Sequence, residues 1–325
     1  MRKNNLVWFL LILTPLWLVF SIFIGQSGFG IPDWNTTTGR AILLLRLNRT
    51  IAGFMVGAGL SCSGVVLQAL LRNPLADPYI LGVSSGAALG AALAIFTGVS
   101  AAGFLILPMS AFIAGVATLT IVYFIARQGS SADSVYGLLL SGVIVSSICA
   151  SLLMLIISLV PVEGLHSITW WMLGNLQILS FQPLLISSAL IALSFVGIWL
   201  IARQLNALTL GHEMAHHLGV RTGMMVKTGL ALATLATAAS VGIAGLIGFV
   251  GLIVPHIMRN IIGPDHRRLV PASALAGGLF LTLCDSIGRV VFAPVEIPVG
   301  VITALIGGPF FLILLSKRRK SGWME

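Results

Sequence analysis

Ten apolar runs alternate with short polar interruptions along the chain. They fall at roughly Leu6–Ile24, Thr50–Leu71, Tyr79–Gly98, Phe104–Ala126, Ser134–Val160, Pro183–Ala202, Thr228–Ala244, Phe249–Ile262, Val270–Ile287 and Val299–Ser316. Most approach the ~20 residues that a helix needs to cross a bilayer. The runs are continuously apolar, with no period-two alternation, so they predict spanning helices and not the strands of an outer-membrane barrel. The eighth run is short for a span, which leaves it either tilted or buried by its neighbours. Between the fifth and sixth runs lies Pro161–Gln182, with Trp170-Trp171-Met172 inside it. Aromatic residues there predict a helix at the membrane interface. The first run follows Met1-Arg2-Lys3 as a signal peptide would. It is too long for one, and no small-residue cleavage site follows, so it reads as an uncleaved first span.

Composition narrows the class. Of 325 residues, 58% are apolar and 8% charged, against about 25% charged in a soluble domain. The 18 basic and 9 acidic side chains cannot cover a soluble protein of this size. A soluble enzyme, a disordered chain and a nucleic-acid-binding domain are excluded. The net charge of +9 is spread as single residues between apolar runs, which is how membrane loops look. The expected fold is an all-α polytopic membrane protein of about ten transmembrane helices. Residues 1–325 read as one transmembrane domain, and any energy-supplying domain must be a separate polypeptide. Cys62, Cys149 and Cys284 each lie in an apolar run, odd in number and without metal spacing, and read as core packing.

Charge fixes orientation. With the N-terminus in the cytoplasm, 14 of the Lys and Arg residues fall inside and 4 outside, accounting for all 18. This split predicts that both termini are cytoplasmic. The four exceptions are Arg40, Arg46, Arg49 and Arg289. Arg46 and Arg49 are three residues apart and share a helix face, and Arg289 closes the ninth span. Such residues either snorkel to lipid phosphate or serve a partner outside.

The longest polar interval, about residues 203–227, is cytoplasmic by the same count. Gly211 and Gly219 bracket about two helical turns, within which Met214 and Leu218 fall on one face. So short a helix is marginal alone. It is either a solvated or interfacial segment, or a helix whose apolar face docks into a partner's groove. His212, His216 and His217 lack further ligands nearby and read as a polar contact surface. Pro74 biases Asn73 away from helix and ends the second span in a turn. Arg72-Asn73-Pro74 with Asp77, and Arg259-Asn260 with Pro264-Asp265, form a weak internal echo. The glycines of Gly53–Gly59 imply close helix packing or a roomy pore lining. No catalytic constellation and no nucleotide-binding loop occur in the sequence. Few ionisable groups lie within the runs, Asp285 being the main one. That disfavours the alternative of an ion-coupled secondary transporter.

Three stretches go beyond hydropathy. The first runs from Arg46-Leu47-Asn48-Arg49-Thr50 through Gly57–Gly64 to Gln68–Pro78. The second is Leu210–Val220. The third is Gly245–Arg259. With Trp171-Met172-Leu173-Gly174 and Glu296-Ile297-Pro298-Val299-Gly300, they make the chain resemble the FecCD family of ABC-importer permeases along nearly its whole length. The resemblance implies a type II importer permease of ten helices in a bacterial or archaeal cytoplasmic membrane. It implies a second permease copy, identical or different, two ATP-binding cassette subunits below and a soluble binding protein above. ATP and Mg would bind the ATPase, and this chain would hold no cofactor or metal. The cargo would be a bulky iron chelate such as a ferric siderophore first, with haem and cobalamin behind it.

The resemblance also assigns residues. Gly211, His212, Glu213, Met214, Ala215, Leu218, Gly219 and Val220 match the coupling helix that contacts the ATPase. Arg46, Arg49 and Arg289 match arginines that receive acidic residues of the binding protein. Asn73, Pro74 and Leu75 match a cytoplasmic gate. Ser134, Val135 and Tyr136 stand where a second gate element is expected, although this sequence departs from the family there.

Overall fold

The computed structural model describes residues 3–25, 28–128 and 135–320. Each of the ten apolar runs is mainly helical over its described residues. Helix α1 (Lys3–Phe23) is followed by a small antiparallel pair, β1 (Ile24–Gly25) and β2 (Gly28–Phe29), and then by α2 (Thr37–Leu70). A 3₁₀ turn over Pro78–Leu81 leads into α3 (Val83–Phe96), α4 (Ile106–Gln128) and α5 (Val135–Leu159). The expected interface helix is α6 (Val162–Met172), and α7 (Phe181–Leu200) follows. The polar interval holds α8 (Ala202–Leu208) and α9 (His212–His217). Then come α10 (Thr222–Ala244), α11 (Val250–Ile262), α12 (His266–Val290) and α13 (Val299–Lys320).

Six of these helices, α2, α4, α5, α7, α10 and α12, are long and apolar enough to cross a membrane. The apolar parts of α1, α3, α11 and α13 are shorter. Helix α2 has 34 residues and is about 51 Å long at 1.5 Å per residue. That exceeds the ~30 Å hydrocarbon core, so a spanning α2 must either tilt or extend past the hydrocarbon. Thr36 caps it, its hydroxyl accepting from the Gly39 amide.

Helix α2 is the central post, packed against α12, α10, α11 and α7. Its glycines permit this. A Cβ on Gly57 would collide with the Gly277 carbonyl of α12, and one on Gly64 with the Gly251 carbonyl of α11. The glycine stretch therefore serves close packing inside this chain, the first of the two readings of it. Helix α11 is short, at 13 residues, and mostly buried by its neighbours. Trp17 of α1 donates its indole N–H to Thr282 of α12 at 2.9 Å, tying the first span to the post's main partner.

Three distant motifs meet between α10 and α11. A Cβ on Gly245 would strike the Trp171 carbonyl, and one on Gly300 would strike the carbonyls of Leu173 and Leu246. The Asn175 amide donates to the Ala244 carbonyl at 2.8 Å, and the Ile247 amide to the Tyr79 hydroxyl at 2.6 Å. Non-helical backbone within a membrane bundle needs such internal partners, because lipid supplies none.

Candidate functional site

At the α1–α2 end the structure gathers Arg46, Arg49 and Arg289 around one cavity of about 570 Å³, lined also by Gln177, Leu179 and Glu296. The first two arginines come from α2 and the third from the last turn of α12. Arg49 is 9% exposed and Arg289 only 2%. Two of the arginines that the charge count sets apart thus end inside the protein. Arg49 forks onto two carboxylates. Its Nε lies 2.8 Å from Asp285 Oδ1, and its Nη1 2.9 Å from each oxygen of Glu296. Arg289 Nη2 lies 3.1 Å from Asp285 Oδ2, a pair four residues apart on one helix. Its other donors reach the Ile24 carbonyl at 2.7 Å and the Ser21 and Ser286 hydroxyls at 3.1 Å each. Only its Nε is left buried without a hydrogen-bond partner.

The physical reason is desolvation. A guanidinium removed from water costs several kcal/mol unless paired, and planar forks on carboxylates supply the pairing. Snorkelling to lipid phosphate is thereby set aside for Arg49 and Arg289, whose groups end inside the protein. Arg46 is half-buried and donates through Nη1 to the carbonyls of Gly30 at 2.8 Å and Ile22 at 3.3 Å. The fourth exception, Arg40, is exposed and lies over the Trp34 ring at 5.9 Å. Sequence reasoning located the arginines but missed their partners. Asp285 and Arg289 stand at i and i+4, a signal open to reading. Glu296 lies 247 positions from Arg49, and no local pattern connects them.

In the polar interval α9 is short, and both bracketing glycines have positive φ, +112° at Gly211 and +80° at Gly219. That conformation favours glycine. Ala215 points inward and is fully buried, while Met214 is 53% and Leu218 59% exposed. His212 is half-buried and Glu213 exposed, and the Val220 amide closes the turn onto the Ala215 carbonyl at 3.0 Å. The preceding α8 is anchored to α12. The Asn206 amide nitrogen donates to Asp265 Oδ1 at 2.8 Å, and Asn206 Oδ1 accepts from the His266 backbone amide at 2.9 Å. Asp265 caps α12 by accepting from the Arg267 amide at 3.1 Å. The Arg267 side chain, with help from Asn206, holds the Asp265 carboxyl down at about 2.

The expected gate turn is ordered. Arg72 has φ +46°, and the Asn73 amide reaches back to the Gln68 carbonyl at 3.2 Å, which closes α2 in a Schellman arrangement. Asn73 Oδ1 then accepts from the Leu75 amide at 2.9 Å across Pro74, leaving Leu75 half-buried. Ser134 lies outside the described residues. Val135 opens α5, and Tyr136 is 85% exposed.

The comparisons with known proteins agree with this architecture. Residues 10–317 match the FecCD transport family. The hemin transport system permease HmuU of Yersinia pestis is 38% identical over 320 residues, covering 96% of this chain and 95% of its own. The cobalamin import system permease BtuC of Halobacterium salinarum is 40% identical over 300 residues, covering 89% and 76%. An inward-facing structure of a metal-chelate type ABC transporter superposes with a TM-score of 0.87 at 32% identity, covering 97% of this chain and 99% of its own. PsaBC from Streptococcus pneumoniae, with a TM-score of 0.60 at 18% identity over 83% of this chain and 90% of its own, shares the fold alone. The chain thus belongs to the FecCD transport family, as the membrane-spanning permease subunit of an ABC importer, with ATP hydrolysis left to a separate subunit.

Proposed function

We propose that this permease imports a metal tetrapyrrole, haem or cobalamin, in preference to a ferric siderophore. It does so as one half of a permease dimer in a bacterial or archaeal cytoplasmic membrane, its whole length forming one transmembrane domain. The observation that carries the cargo class is the 38% identity to a hemin permease over 96% of the chain, joined by the cobalamin permease at 40%. Met214 and Leu218 of α9 enter a groove on an ATP-binding cassette subunit, with His212 and Glu213 at its rim. A soluble binding protein delivers cargo at the outer end and offers carboxylates to the arginine cluster. Both termini are cytoplasmic, and the turn at Asn73-Pro74-Leu75 closes the path below.

The test is purification of the tagged permease from its own membrane, identification of the subunits that co-purify, and reconstitution of that complex in liposomes. ATP-dependent uptake of haemin or cobalamin is the expected result. Uptake of a ferric siderophore alone would overturn the cargo, and uptake driven by an ion gradient without an ATPase would favour a secondary transporter. Cysteines replacing Trp34 and Ser316 check orientation with an impermeant thiol reagent. Labelling is expected in intact cells at position 34 and only after permeabilisation at 316.

A further inference from the structure

The two carboxylates that neutralise the outer arginines are held differently. Asp285 is 3% exposed and is locked to Arg289 on its own helix and to Arg49. Glu296 belongs to the loop that leads into α13, and its side chain is 12% exposed at the wall of the 570 Å³ cavity. It accepts 2.9 Å bonds from Arg49 and a 2.5 Å bond from the Gln177 amide. Gln177 is exposed and sits a few residues past α6. One side chain therefore ties three elements together: α2 through Arg49, the exit of α6 through Gln177, and the entry of α13.

The cavity is short of negative charge. Arg46, Arg49 and Arg289 face two carboxylates, Arg46 donates through Nη1 to backbone carbonyls, and Arg289 Nε is buried without a hydrogen-bond partner among the described residues. A third carboxylate arriving from outside would be attracted as far as this deficit reaches. To fork onto Arg49 it must take the place of a carboxylate already there. Asp285 is only 3% exposed. Glu296 has a route to water, since its loop neighbours Phe292 and Val295 are both well exposed.

We propose that Glu296, braced by Gln177, is an internal competitor that occupies Arg49 until a carboxylate of the docked binding protein displaces it. The exchange releases the outer ends of α6 and α13 from α2. Docking and opening of the outer mouth then become one event, because the bond that admits the partner is the bond that had held the helices together. The idea rests on the docking reading above and adds the competitor to it. While Glu296 occupies the socket, observed affinity is lowered by the fraction of time the socket is filled.

The experiment uses the complete importer in lipid nanodiscs and the binding protein that co-purifies with it. Glu296→Gln keeps the shape and removes the competing charge. Its expected effect is tighter docking, about tenfold, on the scale of one charge-assisted hydrogen bond. Gln177→Ala moves affinity the same way by less. Spin labels at Leu45 on α2 and Val295 before α13 read the second half of the proposal. Their distance should lengthen when the binding protein docks on the wild type, and should be long beforehand in Glu296→Gln. Should Glu296→Gln fail to fold, Glu296→Asp keeps the charge, draws it back from Gln177 and is expected to give a smaller shift in the same direction. Unchanged or weaker docking by the Glu296 variants overturns the proposal, as does a spin-label distance indifferent to docking. Arg46→Glu and Arg49→Glu keep the two readings apart. If they abolish docking while the Glu296 variants leave it unaltered, only the competitor is lost. If docking ignores both arginines, the docking reading itself fails.

Discussion

At the outer end, Arg49 and Arg289 are 9% and 2% exposed, and each is tied to a carboxylate of the same chain. At the inner end, Met214 and Leu218 of α9 stand 53% and 59% exposed with no cover from this chain. The contrast follows from solvation. A charge withdrawn from water needs a partner at once, so the arginine site is completed within the chain, and on the docking proposed above a newcomer must exchange with what is there. A pair of apolar side chains in water costs little, so the inner contact can stay open until a partner covers it. On the proposed function, one end works by replacement and the other by addition.

The largest expected effect breaks the inner half of that comparison. Leu218→Asp places a charge on a surface that is already wet, so folding and insertion should be unaffected. When the ATPase docks, that charge is buried without a partner, at several kcal/mol. Co-purification of the ATPase and ATP-driven uptake should both be lost while expression and thermal unfolding match the wild type. Uptake at wild-type rates by this variant would mean that α9 is not the coupling element.

Next in size is the outer half. Arg289→Met removes one partner from a buried network and leaves Asp285 with Arg49 alone. Breaking a buried pair in this way costs about 3 kcal/mol or more, read as a fall in thermal unfolding temperature of the purified chain. Arg289→Met combined with Asp285→Leu removes both charges and should recover much of the loss, since two apolar groups do not need each other to be neutral. A single variant as stable as the wild type would show that the outer arginines are better solvated than their burial implies.

Much of this architecture was legible in the sequence because lipid imposes simple rules on it. Continuous apolar runs marked ten helices, and Gly211 and Gly219 marked the ends of α9 because each needs a positive φ. Three of the four arginines that broke the inside-positive pattern also turned out to be neighbours, although Arg49 and Arg289 lie on different helices. What could not be read was their environment. Burial of Arg49 depends on Asp285 and Glu296, and a single sequence carries no pairing rule across such separations. The role of Gly57 was open for the same reason: a small residue can face a helix or a pore, and only the opposing carbonyl of Gly277 decides it.

The smallest effect sharpens the comparison by setting an exposed ion pair against the buried one. Asp265 and Arg267 meet at 3.0 Å with side chains 34% and 56% exposed, where an ion pair contributes little. Asp265 acts mainly as the cap of α12 and as the anchor for Asn206 of α8, and losing a cap costs about 1 kcal/mol. Asp265→Ala should therefore lower the unfolding temperature by much less than Arg289→Met. Its carboxyl titrates at about 2 when folded, down from an ordinary 3.8. A depressed carboxylate contributes its stability above the unfolded value and loses it as pH falls toward the folded one. The gap between wild type and Asp265→Ala should thus be constant from pH 5 to 8 (roughly, the range in which both forms stay ionised) and should narrow only below about pH 4. A gap that already closed near neutral pH would assign the effect to another group.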